Sequence, residues 1–136
     1  MRLDCIKKSK IKVLYVWCLM IMQPHETTAL AFALHLINGE FAQAHALLSP
    51  TLSTLDVPTL EQTYRKMVSY FTTAANHTEV VEALSDWPGK LATDVAWVYV
   101  AIDNGKDSEA VSVTLEIAQG NAQNAVQIRL IEWGRP

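Results

Sequence analysis

From about residue 78 to residue 133 apolar and polar residues largely alternate, whereas before that point apolar residues recur at every third or fourth position. A period of two belongs to a β-strand with one buried face, and a period near 3.6 to an amphipathic helix. The chain is therefore expected to be α+β, with three N-terminal helices packed on one face of a four-stranded antiparallel sheet.

In the helical half, Thr27 or Thr28 is positioned to cap a helix carrying Leu30, Ala33, Leu34 and Ile37, which Asn38-Gly39 ends. A short second helix, residues 40–48, places Phe41, Ala44, Leu47 and Leu48 on one side and stops at Ser49-Pro50. Thr59-Leu60-Glu61-Gln62 reads as a capping box opening a third helix, whose apolar face is Leu60, Tyr64, Val68 and Phe71.

Four strands follow, at about residues 79–85, 93–102, 108–118 and 124–133. Trp87-Pro88-Gly89-Lys90 suits a type II turn, with Asp86 and Asp94 bracketing it. Asn104-Gly105 is the strongest two-residue hairpin signal in the chain, and Gly120-Asn121 is a second turn signal.

Two-residue loops would fix every cross-strand pair. Val98 would meet Val111, Ala96 would meet Val113, and Val113 in turn would meet Ile128. These apolar residues all fall on the face beneath the helices. There Val98, Val100, Val113 and Ile128, with Tyr64 from the third helix, are expected to line an inner pocket able to take a small apolar ligand. The same register puts Trp97, Tyr99, Arg129, Ile131 and Trp133 on the outer face, around a floor of Ala110, Ser112 and Thr114. Trp, Tyr and Arg dominate interface hot spots, so this face is expected to be an interface. A two-fold homodimer is the simplest form of it. The register also sets Glu109 opposite Glu132; facing carboxylates raise one pKa and can form an acid/base pair. A solvated sheet end is the competing explanation.

Charge is divided unevenly. Residues 1–22 hold Arg2, Lys7, Lys8, Lys10 and Lys12 against Asp4, leaving six basic and thirteen acidic side chains for the remainder. An acidic body without a basic stripe argues against nucleic-acid binding. The apolar run Val13 to Met22 is too short to span a bilayer as a helix. It fits the centre of a secretory signal, although no small-residue cleavage site follows. Translation starting at Met20 or Met22 is the alternative. The expected organisation is thus an N-terminal segment, 1–22, and one domain, 23–136. A cytoplasmic location is expected, or export or membrane association if the segment is a signal.

With 50% apolar residues, 18% charged residues, five Gly and five Pro, the chain is neither disordered nor repetitive. Its two cysteines, Cys5 and Cys18, are too few for a disulfide scaffold, and no Cys/His spacing calls for a metal. No phosphate-binding glycine loop, nucleophile elbow or zinc-protease motif is present, and no cofactor is expected. His35 and His45 lie on adjacent helices where they could face a shared cavity. His35, Glu109 and Glu132 are therefore the candidate catalytic side chains, and the absence of a nucleophile or metal motif weighs against an enzyme.

Residues 29–44 (ALAFALHLINGEFAQA) and 128–136 (IRLIEWGRP) resemble the opening helices and last strand of the nuclear-transport-factor-2-like superfamily. The resemblance covers about residues 25–133. It implies a curved, cone-like sheet with a pocket between helices and sheet, and often a dimer through the outer sheet face. The superfamily's isomerases use a first-helix Tyr and two pocket Asp residues. Here the first helix offers His35 instead and Asp103 lies in a turn, so those roles do not transfer. Other members are binding proteins, including bacterial immunity proteins that neutralise toxins. A non-catalytic binding domain is the leading expectation; a pocket isomerase or hydrolase using Glu109 and Glu132, or an immunity-type protein, are the alternatives.

Overall fold

In a computed structural model, residues 22–52, 54–118 and 125–135 are described. The N-terminal segment up to residue 21 and the Gly120-Asn121 turn lie outside them. Helix α1 is Pro24–Ile37, α2 is Phe41–His45 and α3 is Val57–Met67, with a 3-10 turn at Pro50–Leu52. The strands are β1 His77–Leu84, β2 Asp94–Asp103, β3 Ser108–Ile117 and β4 Val126–Trp133, joined in a single antiparallel meander in that order. Among the described residues, three helices packed with a four-stranded antiparallel sheet make this an α+β fold.

Two helices begin earlier than the Ser/Thr signals indicate. Gln23, not Thr27 or Thr28, is the N-cap of α1; its backbone N–H donates to the Glu26 carboxylate at 3.2 Å, and Pro24 opens the first turn. Asp56, not Thr59, caps α3 by accepting from the Thr59 N–H at 2.9 Å. A carboxylate offers the terminal N–H groups a charged acceptor and favours the positive end of the helix dipole. Helix α2 stops at His45, so that residues 47–49 run beside β4 instead. Ser49 N–H donates to the Ile128 carbonyl at 2.7 Å, and Ile128 N–H to Leu47 at 2.9 Å.

The Trp87-Pro88-Gly89-Lys90 turn forms as expected, with Lys90 N–H on the Trp87 carbonyl at 3.2 Å and Gly89 at φ +89°. The β2–β3 connection is longer than two residues. Asp103 pairs with Ser108, leaving Asn104 to Asp107 as the loop. The Asn104 side-chain oxygen accepts from the Lys106 and Asp107 N–H groups, and its amide donates to the Thr73 carbonyl at 2.9 Å. Asn104 thus ties the loop to the chain leaving α3, which a tight turn could not do.

The β2–β3 ladder is consequently displaced, Val98 pairing with Val113, and the β3–β4 ladder is displaced as well, Leu115 pairing with Ile128. A displacement of two leaves each side chain on its expected face. Bulges change that locally. Extra residues occur at Val81 in β1, Val95 in β2 and Arg129 in β4. After Arg129 the alternation of β4 is inverted, so Ile131 pairs with Val113 and Trp133 with Val111, while Leu130 and Glu132 take the outer face. Under the helices, Phe32, Leu36, Leu60, Val98, Val100, Ile102, Val111, Val113, Leu115 and Ile128 are fully buried. This continuous apolar contact is the principal stabiliser of the fold.

Candidate functional site

The outer sheet face is built in rows. Leu84 (β1), Trp97 (β2), Thr114 (β3) and Leu130 (β4) form one, and Glu82, Tyr99, Ser112 and Glu132 the next. Trp97 and Tyr99 stand two residues apart on one strand, so their rings project side by side. The rings stack nearly parallel, 14° apart with centroids at 6.1 Å. The Trp97 indole N–H donates to Glu132 Oε1 at 3.3 Å, which carries the ring across β3. Ser112 and Thr114 are accordingly only 5% and 2% exposed, although they lie on an open face. The expected trough is thus roofed, leaving an aromatic plate bordered by Leu84, Leu130, Glu82 and Glu132. A recess of about 250 Å³ opens at one side, lined by Val81, Glu82, Trp97 and Tyr99.

Of the five side chains assigned to this face, Trp97 and Tyr99 are there. Ile131 and Trp133 are not: the Arg129 bulge turns them inward, and the Trp133 ring sits 6.4 Å from Phe32 of α1. Arg129 is engaged by Asp94, with Nε–Oδ1 and Nη2–Oδ2 contacts both at 2.7 Å. The Asp94 side chain is fully buried and that of Arg129 21% exposed. Hydrogen bonding from Arg129 holds the Asp94 carboxyl below its usual range and raises the guanidinium's own pKa. Beside this pair, Glu116 Oε2 accepts from the Ser49 hydroxyl and the Gln127 amide, each at 2.7 Å, closing the far end of the outer face with polar contacts.

The carboxylate pair does not assemble. Glu109 pairs with Ile102 on the inner side, whereas Glu132 pairs with Ser112 on the outer face. The Arg129 bulge separates them by turning Glu132 to the outer face. Glu109 Oε2 instead accepts from the Tyr70 hydroxyl at 3.0 Å, at the end of the sheet. Desolvation, then the hydrogen bond to Glu109, pushes the Tyr70 phenol above its usual range.

The two helix histidines also part. His35 Nδ1 contacts Glu40 Oε1 at 3.0 Å, and His45 Nε2 contacts the Leu55 carbonyl at 2.7 Å. The expected pocket residues Val98, Val100, Val113 and Ile128 are fully buried and packed against their neighbours as core. Tyr64 is also buried, its ring 5.9 Å from that of Phe41. Among the described residues no group of three or more His, Cys, Asp or Glu is placed to hold a metal, and no helix is long and apolar enough to cross a membrane.

Val81, Glu82, Leu84 and Leu130 were missed as members of the site. Their signal is a break in alternation: Val80-Val81 and Leu130-Ile131 are apolar doublets, and a doublet in an alternating strand marks a bulge. No family model matches the chain, and neither does any curated protein or solved structure.

Proposed function

We propose that this chain is a non-catalytic binding domain whose working surface is the outer sheet face, and that its partner is a protein surface carrying positive charge. The carrying observation is the partly exposed Trp97–Tyr99 stack, held by Glu132 and bordered by Leu84 and Leu130. Partly exposed aromatic residues that are held in place before binding lose little conformational freedom on contact, and apolar surface patches mark association surfaces.

The sign of the charge favours a basic partner over a second copy. Glu79, Glu82 and Glu132 project on this face, while Arg129 is neutralised by Asp94. Two such plates brought together about a two-fold axis would oppose carboxylates. The order of elements, helices before an antiparallel meander, also supports membership of the nuclear-transport-factor-2-like superfamily, whose binding members, immunity proteins among them, are compatible with such a surface.

The test is amide and indole NMR of the labelled full chain, titrated with an arginine- and lysine-rich octapeptide and, separately, a glutamate-rich one. Shifts confined to Val81, Glu82, Leu84, Trp97, Tyr99, Leu130 and Glu132, with the basic peptide alone, are expected. Shifts centred on the helices, or equal effects of both peptides, would refute it. Shifts of the same residues on simple dilution would replace the basic partner by a second copy.

A further inference from the structure

We infer that the recess lined by Val81, Glu82, Trp97 and Tyr99 is a socket for one cationic side chain of that partner, arginine above all; this rests on the outer face being the working surface. Four observations converge. The recess, at about 250 Å³, is of side-chain size. Two of its four lining residues are aromatic, and their rings stack 14° from parallel with centroids at 6.1 Å. A planar guanidinium stacks on an aromatic ring, attracted by its negative face, better than a compact ammonium does.

Glu82 supplies the counter-charge. It is the register partner of Tyr99, so its carboxylate starts beside the ring rather than remote from it. Among the described residues no hydrogen bond or ion pair engages Glu82, which leaves both oxygens to receive the two parallel N–H groups of a guanidinium. Glu132, by contrast, already accepts from the Trp97 indole, where it holds that ring in place and adds negative charge to the plate.

The bulge at Val81 is what opens the recess. It advances β1 by one residue against β2, so Glu82 rather than Val81 comes opposite Tyr99, and Val81 is left 40% exposed at the rim. An apolar rim residue matches the methylene stem of an arginine, whose charged head lies beyond it. Arg135, past the end of β4, lines another open cleft with Tyr99, Glu109 and Gly134. The socket thus combines an aromatic wall, a free carboxylate and an apolar lip.

The experiment follows the Trp97 indole N–H and the amides of Val81 and Glu82 during titration with N-acetylarginine amide and with N-acetylcitrulline amide, its uncharged counterpart of the same shape. Arginine amide is expected to shift these signals saturably in the millimolar range, and citrulline amide to bind about threefold or more weakly. In Glu82→Gln the preference for arginine is expected to disappear while the remaining spectrum is unchanged. Equal shifts from the two probes, or an undiminished preference in Glu82→Gln, would overturn the socket. If the basic octapeptide still marks the outer face in that case, the interface stands without the socket; if it does not, both fall.

Discussion

Asp94→Ala is expected to lower the unfolding free energy by about 3–5 kcal/mol, because it strands a partly buried guanidinium whose partner has been removed. The Asp94 carboxylate has no exposure of its own, and both of its oxygens are taken by Arg129 at 2.7 Å. Loss of the pair would also release the bulge that sets the facing of Leu130 to Trp133. Equilibrium denaturation in urea measures the change, and a loss below about 1 kcal/mol, the size of an exposed pair, would contradict it. The pair also predicts an acid dependence. Arg129 lowers the Asp94 pKa in the native state, whereas an unfolded Asp titrates near 3.9. The stabilisation is therefore complete at neutral pH, and is lost as pH falls from about 4 down through the lowered native value. In Asp94→Asn that part of the acid dependence is expected to vanish.

Two tryptophans on one sheet are expected to behave oppositely. Trp133→Ala should cost about 3 kcal/mol, at the low end for a large aromatic in a core, since Trp133 packs against Phe32 and is partly exposed. Trp97→Ala should cost about 1 kcal/mol, the scale of one aromatic pair, while abolishing the response to the basic octapeptide. Thermal unfolding of the two variants, with the peptide titration repeated on each, measures both quantities. Equal destabilisation, or a retained peptide response in Trp97→Ala, would contradict the division of labour.

Much of this fold is legible because its signals are local. The change of period announces helices then strands, and all four strands fall within about two residues of their expected limits. The Pro88-Gly89 turn is written in two residues whose backbone preferences admit few other conformations. Facing along β2 and β3 is also recoverable, because the longer Asn104–Asp107 loop displaced the ladder by an even number. What was not legible depends on distant partners. The loop length follows from Asn104 reaching Thr73, thirty-one residues earlier in the chain. The β4 bulge is held by Arg129 reaching Asp94 and by residues 47–49 fixing Ile128. The Leu130-Ile131 doublet announces a slip of phase without saying which residue is extra. That slip removed Ile131 and Trp133 from the expected interface and separated Glu109 from Glu132, so an error of one residue rewrote the site while leaving the fold class intact.

The sharpest test of the outer face is where each indole sits. In a nuclear Overhauser spectrum of the full chain, ring protons of Trp133 are expected to show cross-peaks to the Phe32 ring. Those of Trp97 should show cross-peaks to Tyr99 and the Glu132 side chain and none to α1. Cross-peaks from Trp133 to Tyr99 or Leu130, with none to Phe32, would place both indoles outside and undo the aromatic plate as described.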